Sequence, residues 1–240
     1  MLNTSSLPAS LLPFVLFIFI AFMGCSTTET ATENTNQQQR DLSEMEALYW
    51  EKINESRMNF VEADVDFMTG MIAHHSQALI MSRLAPENTS TRSIQVLASR
   101  IINAQGDEIK FMQRWLRDRD QPVPEVHIEG LNMMIHGMEG ENGHGGHGMH
   151  DHQTMPGMLT QDQLETLAAA EGREFDRLFL QNMIQHHEGA IIMVRTLFEA
   201  DGAAADREAF ELASGINAEQ ITEIDRMNLM LENIPDGKDS

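Results

Sequence analysis

A duplicated pair of sequence blocks limits what this chain can fold into. Phe67-x3-Met71-Ile72-x-His74-His75-x2-Ala78-x2-Met81 returns, at one constant offset, as Phe179-x3-Met183-Ile184-x-His186-His187-x2-Ala190-x2-Met193. Ala98-x2-Ile101-x3-Gln105-x2-Glu108-Ile109-x2-Met112 is then answered by Ala213-x2-Ile216-x3-Gln220-x2-Glu223-Ile224-x2-Met227. In each block the apolar residues recur three and four positions apart, the period of an amphipathic helix. A helix with one apolar stripe must bury it against another element. Two copies of a helical hairpin are therefore expected to close face to face about a pseudo-twofold axis. The fold class read from this pattern is all-α: a four-helix bundle built from two homologous helical hairpins joined by a flexible crossover.

The start and stop signals agree. Leu42 to Phe60 reads as a first amphipathic helix, and Phe67 to Leu84 as a second that Pro86 stops. Thr89, Ser90 and Thr91 offer N-caps for a helix to about Arg119, ahead of Pro122 and Pro124. In the second half Thr160 and Gln163 form a capping box for a short helix to about Ala170. A longer helix follows Gly172 and runs to about Ala200, with Gly202 just past its end. The last helix spans roughly Asp206 to Asn233 and halts at Pro235. Almost no segment alternates apolar and polar residues with a period of two.

The flanks differ in kind. Leu7 to Met23 is almost wholly apolar, is short for a spanning helix and contains Pro8 and Pro13, so residues 1–24 read as a signal peptide. Phe22-Met23-Gly24-Cys25 resembles a bacterial lipobox, which would make Cys25 the acylated first residue of the mature protein. The departures are the lack of a basic residue ahead of the apolar run and Phe22 where leucine is usual. A single uncleaved anchor is the other reading, and both place the remainder outside the cytoplasm, periplasmic or at the cell surface. Residues 25–40, rich in Thr, Glu, Asn and Gln, are expected to be a disordered tether. The bundle is expected over 41–233, with 127–158 as its crossover and 234–240 as a tail. Cys25 is the only cysteine, so the folded part has neither disulfides nor thiolate ligands. The net charge of −21, without a lysine or arginine cluster, removes the electrostatic basis for binding nucleic acid.

The chemistry-bearing residues fall in three groups. Met71, His74 and His75, with Met183, His186 and His187, place a thioether and two imidazoles on one side of a helix in each half. Thioether with imidazole selects monovalent copper or silver over calcium, magnesium or manganese, which prefer oxygen. Met71, Met81, Met183 and Met193 taken singly also fit as adaptable core filler. The paired histidines fit that role less well, since each buried imidazole group left without a partner costs about 1–3 kcal/mol. Gln105, Glu108, Gln220 and Glu223 share the apolar stripe of their helices. The carboxylates can orient the imidazoles through the second ring N–H, serve as direct ligands, or lie solvated at the stripe's edge. Asp64 and Asp176 suit helix N-termini. The crossover adds His136, His144, His147, His150 and His152 with Met133, Met134, Met138, Met149, Met155 and Met158, a composition that captures soft ions with adaptable geometry.

The paired F-x3-M-I-x-H-H-x2-A-x2-M blocks, the lead-in Gly172-Arg173-Glu174-Phe175-Asp176 and the Gln-x2-Glu-Ile-x2-Met arms resemble the domain of unknown function 305 family over about Asp41 to Asn233. That resemblance implies a ferritin-like four-helix fold, export, and the copper or silver binding found in some members. By position it implies Met71, His74, His75, Met183, His186 and His187 as the functional residues. Met68 is matched by Leu180 and Trp115 by Met230, so the halves need not bind identically. The expected function is sequestration or chaperoning of copper(I) or silver(I) in metal tolerance, without catalysis. Its partners are metal ions, a membrane reached through a lipid on Cys25, and an exported protein that receives the metal. An oxygen-activating dinuclear iron or manganese bundle is the rival, although the Glu-x2-His pairs of such centres are missing. A structural bundle without metal is the third reading.

Overall fold

A computed structural model of the chain describes residues 28–137 and 155–234. The chain divides into two units, residues 1–50 and 51–240. Helix α1 (Thr28–Arg57) begins in the first. It contradicts the tether expected over residues 25–40, since the helix reaches back to Thr28. The physical reason is that Thr28–Arg57 contains neither Gly nor Pro, and once a helix is nucleated each added residue gains a hydrogen bond. Side chains reinforce it locally: Gln37 Nε2 donates to Asp41 Oδ1 at 3.1 Å and Arg40 Nε to the Asn36 carbonyl at 3.3 Å. Leu42, Met45, Leu48, Tyr49 and Trp50 on this helix are exposed.

The second unit holds the bundle. Its elements in order are α2 (Glu62–Arg83), α3 (Ala85–Asn88), α4 (Arg92–Arg117), β1 (Glu125–Glu129), β2 (Asn132–His136), α5 (Gln161–Ala169), α6 (Gly172–Glu199) and α7 (Arg207–Glu232). Helix α2 packs on α4, α6 packs on α7, and α2 meets α6 across the middle. These are the two hairpins of the repeat. The capping box at the start of α5 is present, with Thr160 Oγ1 accepting from Gln163 N–H at 3.3 Å and Gln163 Oε1 from Thr160 N–H at 2.9 Å.

Apolar side chains form two clusters, each fed by all four long helices. One contains Ala78 and Met81 from α2, Ile94, Leu97 and Ile101 from α4, Phe175, Phe179 and Met183 from α6, and Met227 from α7. The other contains Phe67, Met71 and Ile72, then Met112 and Trp115, Ala190 and Val194, and Ala213 and Ile216. On every helix the polar residues singled out above fall between the two sets: His74 and His75, Gln105 and Glu108, His186 and His187, Gln220 and Glu223. The repeat thus builds a polar layer between two apolar ones.

Two aspartates tie the hairpins together. Asp64 accepts from Val61 N–H at 2.9 Å and from Ala204 N–H, in the connection between α6 and α7, at 2.7 Å. Asp176, its counterpart, accepts from the Thr91 hydroxyl ahead of α4 at 2.5 Å. Placement near a helix start explains only the first of these bonds.

The flexible crossover over 127–158 needs correction. Strands β1 and β2 pair antiparallel with Val126 opposite Ile135 and Ile128 opposite Met133, around a turn at Gly130, where φ is +59°. Val126, Ile128, Met133 and Ile135 supply a period-two alternation, and Ile128, Leu131 and Met133 pack on the first apolar cluster. Gly, His and Met counted over the whole stretch hide this short pattern. Residues Met155 to Leu159 also dock on the bundle, whereas Met138, His144, His147, Met149, His150 and His152 lie outside the described residues, as do Cys25 and the leader. The hairpin, this docked strap and α5 all contact α2. Every residue from Met71 to Ser82 is buried in consequence, whereas α6 keeps an exposed face.

Candidate metal centre

His74, His75, His186 and His187 are all fully buried. The rings of His74 and His186 face each other across the α2–α6 contact, with centroids 3.8 Å apart and planes tilted by 35°. Within each pair the centroids are 6.5 Å apart for His74 and His75 and 6.4 Å apart for His186 and His187. The near-equality of the last two distances expresses the pseudo-twofold axis in the site itself.

The outer histidine of each pair is held by a carboxylate from the partner helix. His75 Nε2 lies 2.7 Å from Glu108 Oε2, and His187 Nε2 lies 2.9 Å from Glu223 Oε2. A carboxylate accepts, so Nε2 carries the proton in both rings and Nδ1 keeps a lone pair. His74 Nε2 donates to the Pro156 carbonyl at 3.0 Å, which fixes the same tautomer. The Nδ1 atoms of all four rings are buried without a hydrogen-bond partner, and His186 lacks one at Nε2 as well.

Burial favours the neutral form of His74, His186 and His187. Burial pushes the His74 pKa from 6.5 down to about 3, with the neighbouring His75 adding to the effect. Burial also pushes His186 well below the ordinary range, and it lowers His187 despite the opposing hydrogen bond that its ring donates to Glu223. A neutral imidazole with a free lone pair is the form that binds metal. Nearby, burial raises the Glu219 pKa, and the negative charges of Glu108 and Glu223 raise it further. Neutral donors backed by acidic groups favour a cation over an anion.

The donors are arranged in pairs. Among the described residues, no group of three or more His, Cys, Asp or Glu side chains is gathered as a ready metal cage. Filled-shell monovalent ions accept two or three soft or borderline donors; the His74 and His186 rings lie face to face at 3.8 Å, too close for an ion between them, so binding through their in-plane nitrogens requires a ring to turn.

The other sequence candidates divide. Glu108 and Glu223 orient imidazoles, one of the three roles open to them. Gln105 and Gln220 are buried in the same layer but bond to none of the histidines, and both amide atoms of Gln105 and Oε1 of Gln220 lack partners. Met71 and Met183 are completely buried in opposite apolar clusters. His136 is exposed at the end of β2 and makes no hydrogen bond, ion pair or ring contact with the buried histidines.

Sequence reading missed the strap. Gln77 holds it by donating from Nε2 to the Leu159 carbonyl at 2.9 Å while its Oε1 accepts from Leu159 N–H at 2.8 Å. Gly189, which occupies the same repeat position as Gln77, makes room for it: a Cβ there would lie 2.0 Å from the Pro156 carbonyl oxygen. Gly157 turns the strap with φ +77°, and a Cβ on it would meet the Gln185 carbonyl oxygen at 2.5 Å. The glutamine-for-glycine difference within an otherwise faithful repeat was the available signal. Because the strap engages His74 and leaves His186 without a partner, it breaks the equivalence of the two halves.

No curated protein matches the sequence. Several solved structures do. A DUF305 protein from Streptomyces coelicolor is 25% identical over 71% of this chain and 91% of that one, with a TM-score of 0.56. A DUF305 fragment from Deinococcus radiodurans is 26% identical over 72% and 97%, also at 0.56. CopM in a Cu(I)-bound form is 27% identical over 71% and 96%, at 0.50. The family model described as Domain of unknown function (DUF305) matches residues 64–231, from the aspartate that links the hairpins to the end of α7. This chain therefore belongs to the DUF305 family.

Proposed function

We propose that the chain is an exported binding protein for copper(I) or silver(I), which it holds on ring nitrogens of the His74, His75, His186 and His187 layer after a turn of a ring, for sequestration or hand-over in metal tolerance. The observation that carries this reading is the layer of four buried imidazoles whose Nδ1 atoms have no hydrogen-bond partner. Each such group costs about 1–3 kcal/mol in the metal-free protein, and a bound ion offsets that cost. Glu108 and Glu223 hold the outer rings in register and supply compensating charge. The Cu(I)-bound form of CopM, a protein of similar fold, supports the choice of ion. His136, Met138, His144, His147, Met149, His150 and His152 would gather ions loosely at the surface. A lipid on Cys25 would keep the protein at the membrane, and no helix among the described residues is long and apolar enough to cross one.

The test is an anaerobic copper(I) titration with metal analysis on three forms: the full chain, a form with residues 138–154 replaced by a flexible linker, and a form with alanine at the four histidines. The hairpin at Glu125–His136 and the strap stay intact in the second form, because both pack on the bundle. The expected result is a tight site that survives loss of the tract and disappears with the histidines. Equal binding by all three forms, or by none, contradicts the proposal.

A further inference from the structure

The two halves of the repeat are not equally filled. The offset that pairs Trp115 with Met230 also pairs Arg119 with Ile234, and the α7 N-cap Asp206 with the α4 N-cap Thr91. In the first half the indole and the guanidinium are buried and both donate to Asp206. In the second half methionine and isoleucine are smaller, and a cleft of about 290 Å³ opens among Ile94, Leu180, Met230 and Ile234. That volume lies at the lower end of the range for small-molecule sites. Asp176 lines the cleft and is 3% exposed. One of its carboxylate oxygens accepts from the Thr91 hydroxyl, whereas Oδ1 is buried without a hydrogen-bond partner. Its counterpart Asp64 has both oxygens occupied, one of them by Ala204 N–H. The repeat places Thr89 where the other half has Ala204, and Thr89 N–H donates instead to the Ala85 carbonyl at 3.2 Å. A buried carboxylate oxygen requires a donor, and a cationic one satisfies it best. Arg226, exposed to solvent, also lines the cleft. Its charge opposes a bare cation and favours a ligand that carries a carboxylate of its own.

We propose that this cleft binds a free α-amino acid with a bulky apolar side chain, of the leucine or phenylalanine class. The ammonium group donates to Asp176 Oδ1, the side chain lies among Ile94, Leu180, Met230 and Ile234, and the carboxylate pairs with Arg226 at the mouth. The ligand thereby supplies what the first half builds from its own residues, an apolar body with a cationic donor beside a buried carboxylate. A zwitterion has no net charge, so the chain's net charge of −21 does not repel it. The cleft shares no residue with the histidine layer, and this site stands or falls independently of metal binding.

The test is isothermal titration of the full chain with L-phenylalanine, with 2-phenylethylamine, which lacks the carboxylate, and with 3-phenylpropionate, which lacks the ammonium group. The expected result is millimolar or tighter binding of phenylalanine, with each analogue weaker by about tenfold or more, the worth of one charge-assisted hydrogen bond. Met230→Trp places in the cleft the residue that the other half of the repeat carries, and is expected to abolish binding while thermal melting shows a folded protein. Asp176→Asn should weaken phenylalanine by about tenfold without weakening 3-phenylpropionate, and Arg226→Gln should weaken phenylalanine without weakening 2-phenylethylamine. Absence of phenylalanine binding overturns the proposal. So does unchanged binding by Met230→Trp, which would put the ligand elsewhere, or an amine that binds as tightly as the amino acid, which would remove the role of Arg226.

Discussion

His186→Leu is expected to make the metal-free protein more stable while removing its tight copper(I) site. Both ring nitrogens of His186 are buried and neither makes a well-formed hydrogen bond, with only the His74 backbone close enough to favour a proton there. Leucine is close to histidine in volume and leaves nothing unsatisfied between the two apolar clusters. Relieving one or both groups should raise stability by about 1–3 kcal/mol, or roughly 2–4 °C in melting temperature per kcal/mol for a domain of this size. A substitution that stabilises the fold and abolishes binding marks a residue kept for function. Acid sensitivity should change as well. In the unfolded chain these imidazoles take up protons near pH 6.5, whereas His74 in the fold resists until about pH 3 and His186 is held well below its ordinary value. The unfolded state thus binds more protons as pH falls through that window, so the metal-free protein loses stability from about pH 6.5 downward. His186→Leu deletes one such group and should flatten the loss. Thermal melts of the metal-free proteins between pH 4 and pH 8 check both points. A lower melting temperature at pH 8 than the unsubstituted protein counts against the description of His186 as a strained, unpartnered group.

The second large effect lies away from the histidines. Asp206 is the N-cap of α7, with Oδ1 accepting from Ala209 N–H at 2.8 Å. The same oxygen accepts from Trp115 Nε1–H at 3.0 Å, and Oδ2 accepts from Arg119 Nη2 at 2.6 Å. Arg119 also lies over the Trp115 ring, 4.2 Å from its centroid, and reaches Glu208 at 3.0 Å. The arginine and aspartate side chains are almost completely buried. Asp206→Ala would leave a guanidinium inside the fold with only the half-exposed Glu208, and would orphan two N–H donors. The expected loss is about 3–5 kcal/mol, read from urea unfolding. Asp206→Asn, which keeps one oxygen to accept from Ala209 N–H and Trp115 Nε1–H but loses the charge and the acceptor facing Arg119, should lose less. A loss below about 1 kcal/mol for Asp206→Ala, no more than an isolated helix cap is worth, would mean that Arg119 finds solvent or another partner.

That cluster also shows where sequence reading ends. The repeat aligned Trp115 with Met230 and so announced an asymmetry, but Arg119 and Asp206 lie 87 residues apart, and nothing local pairs them. Where information was local, it was legible. The helical period placed α2, α4, α6 and α7, the prolines and caps bounded them, and the double repeat aligned the two histidine pairs with Glu108 and Glu223. Where a tertiary partner decides, it was not. Asp64 and Asp176 read as helix starts because Ala204 N–H and the Thr91 hydroxyl come from the opposite hairpin. The Val126–Ile135 hairpin was obscured by glycine, histidine and methionine around it. Residues 28–40 carry no aliphatic run, so their composition suggested a tether although nothing in them breaks a helix.

The site was legible in its residue types and not in its asymmetry. Sequence brought His74 and His186 together as equals; the strap gives His74 a carbonyl and leaves His186 bare. It also brings Met155 up to Gly70 on α2, although its sequence neighbours group it with the crossover. Met71 and Met183, which the repeat placed beside the histidines, enter the apolar clusters above and below them instead.

The central claim is that the imidazole layer binds a monovalent soft ion through nitrogen. X-ray absorption at the copper edge tests it most directly, on the form lacking residues 138–154 loaded anaerobically with a single equivalent of copper(I). The expected spectrum is that of low-coordinate copper(I) with imidazole scattering and at most a minor sulfur contribution. A shell dominated by sulfur would move the primary site to the methionines, and a shell of four or more oxygen and nitrogen ligands would contradict the claim outright.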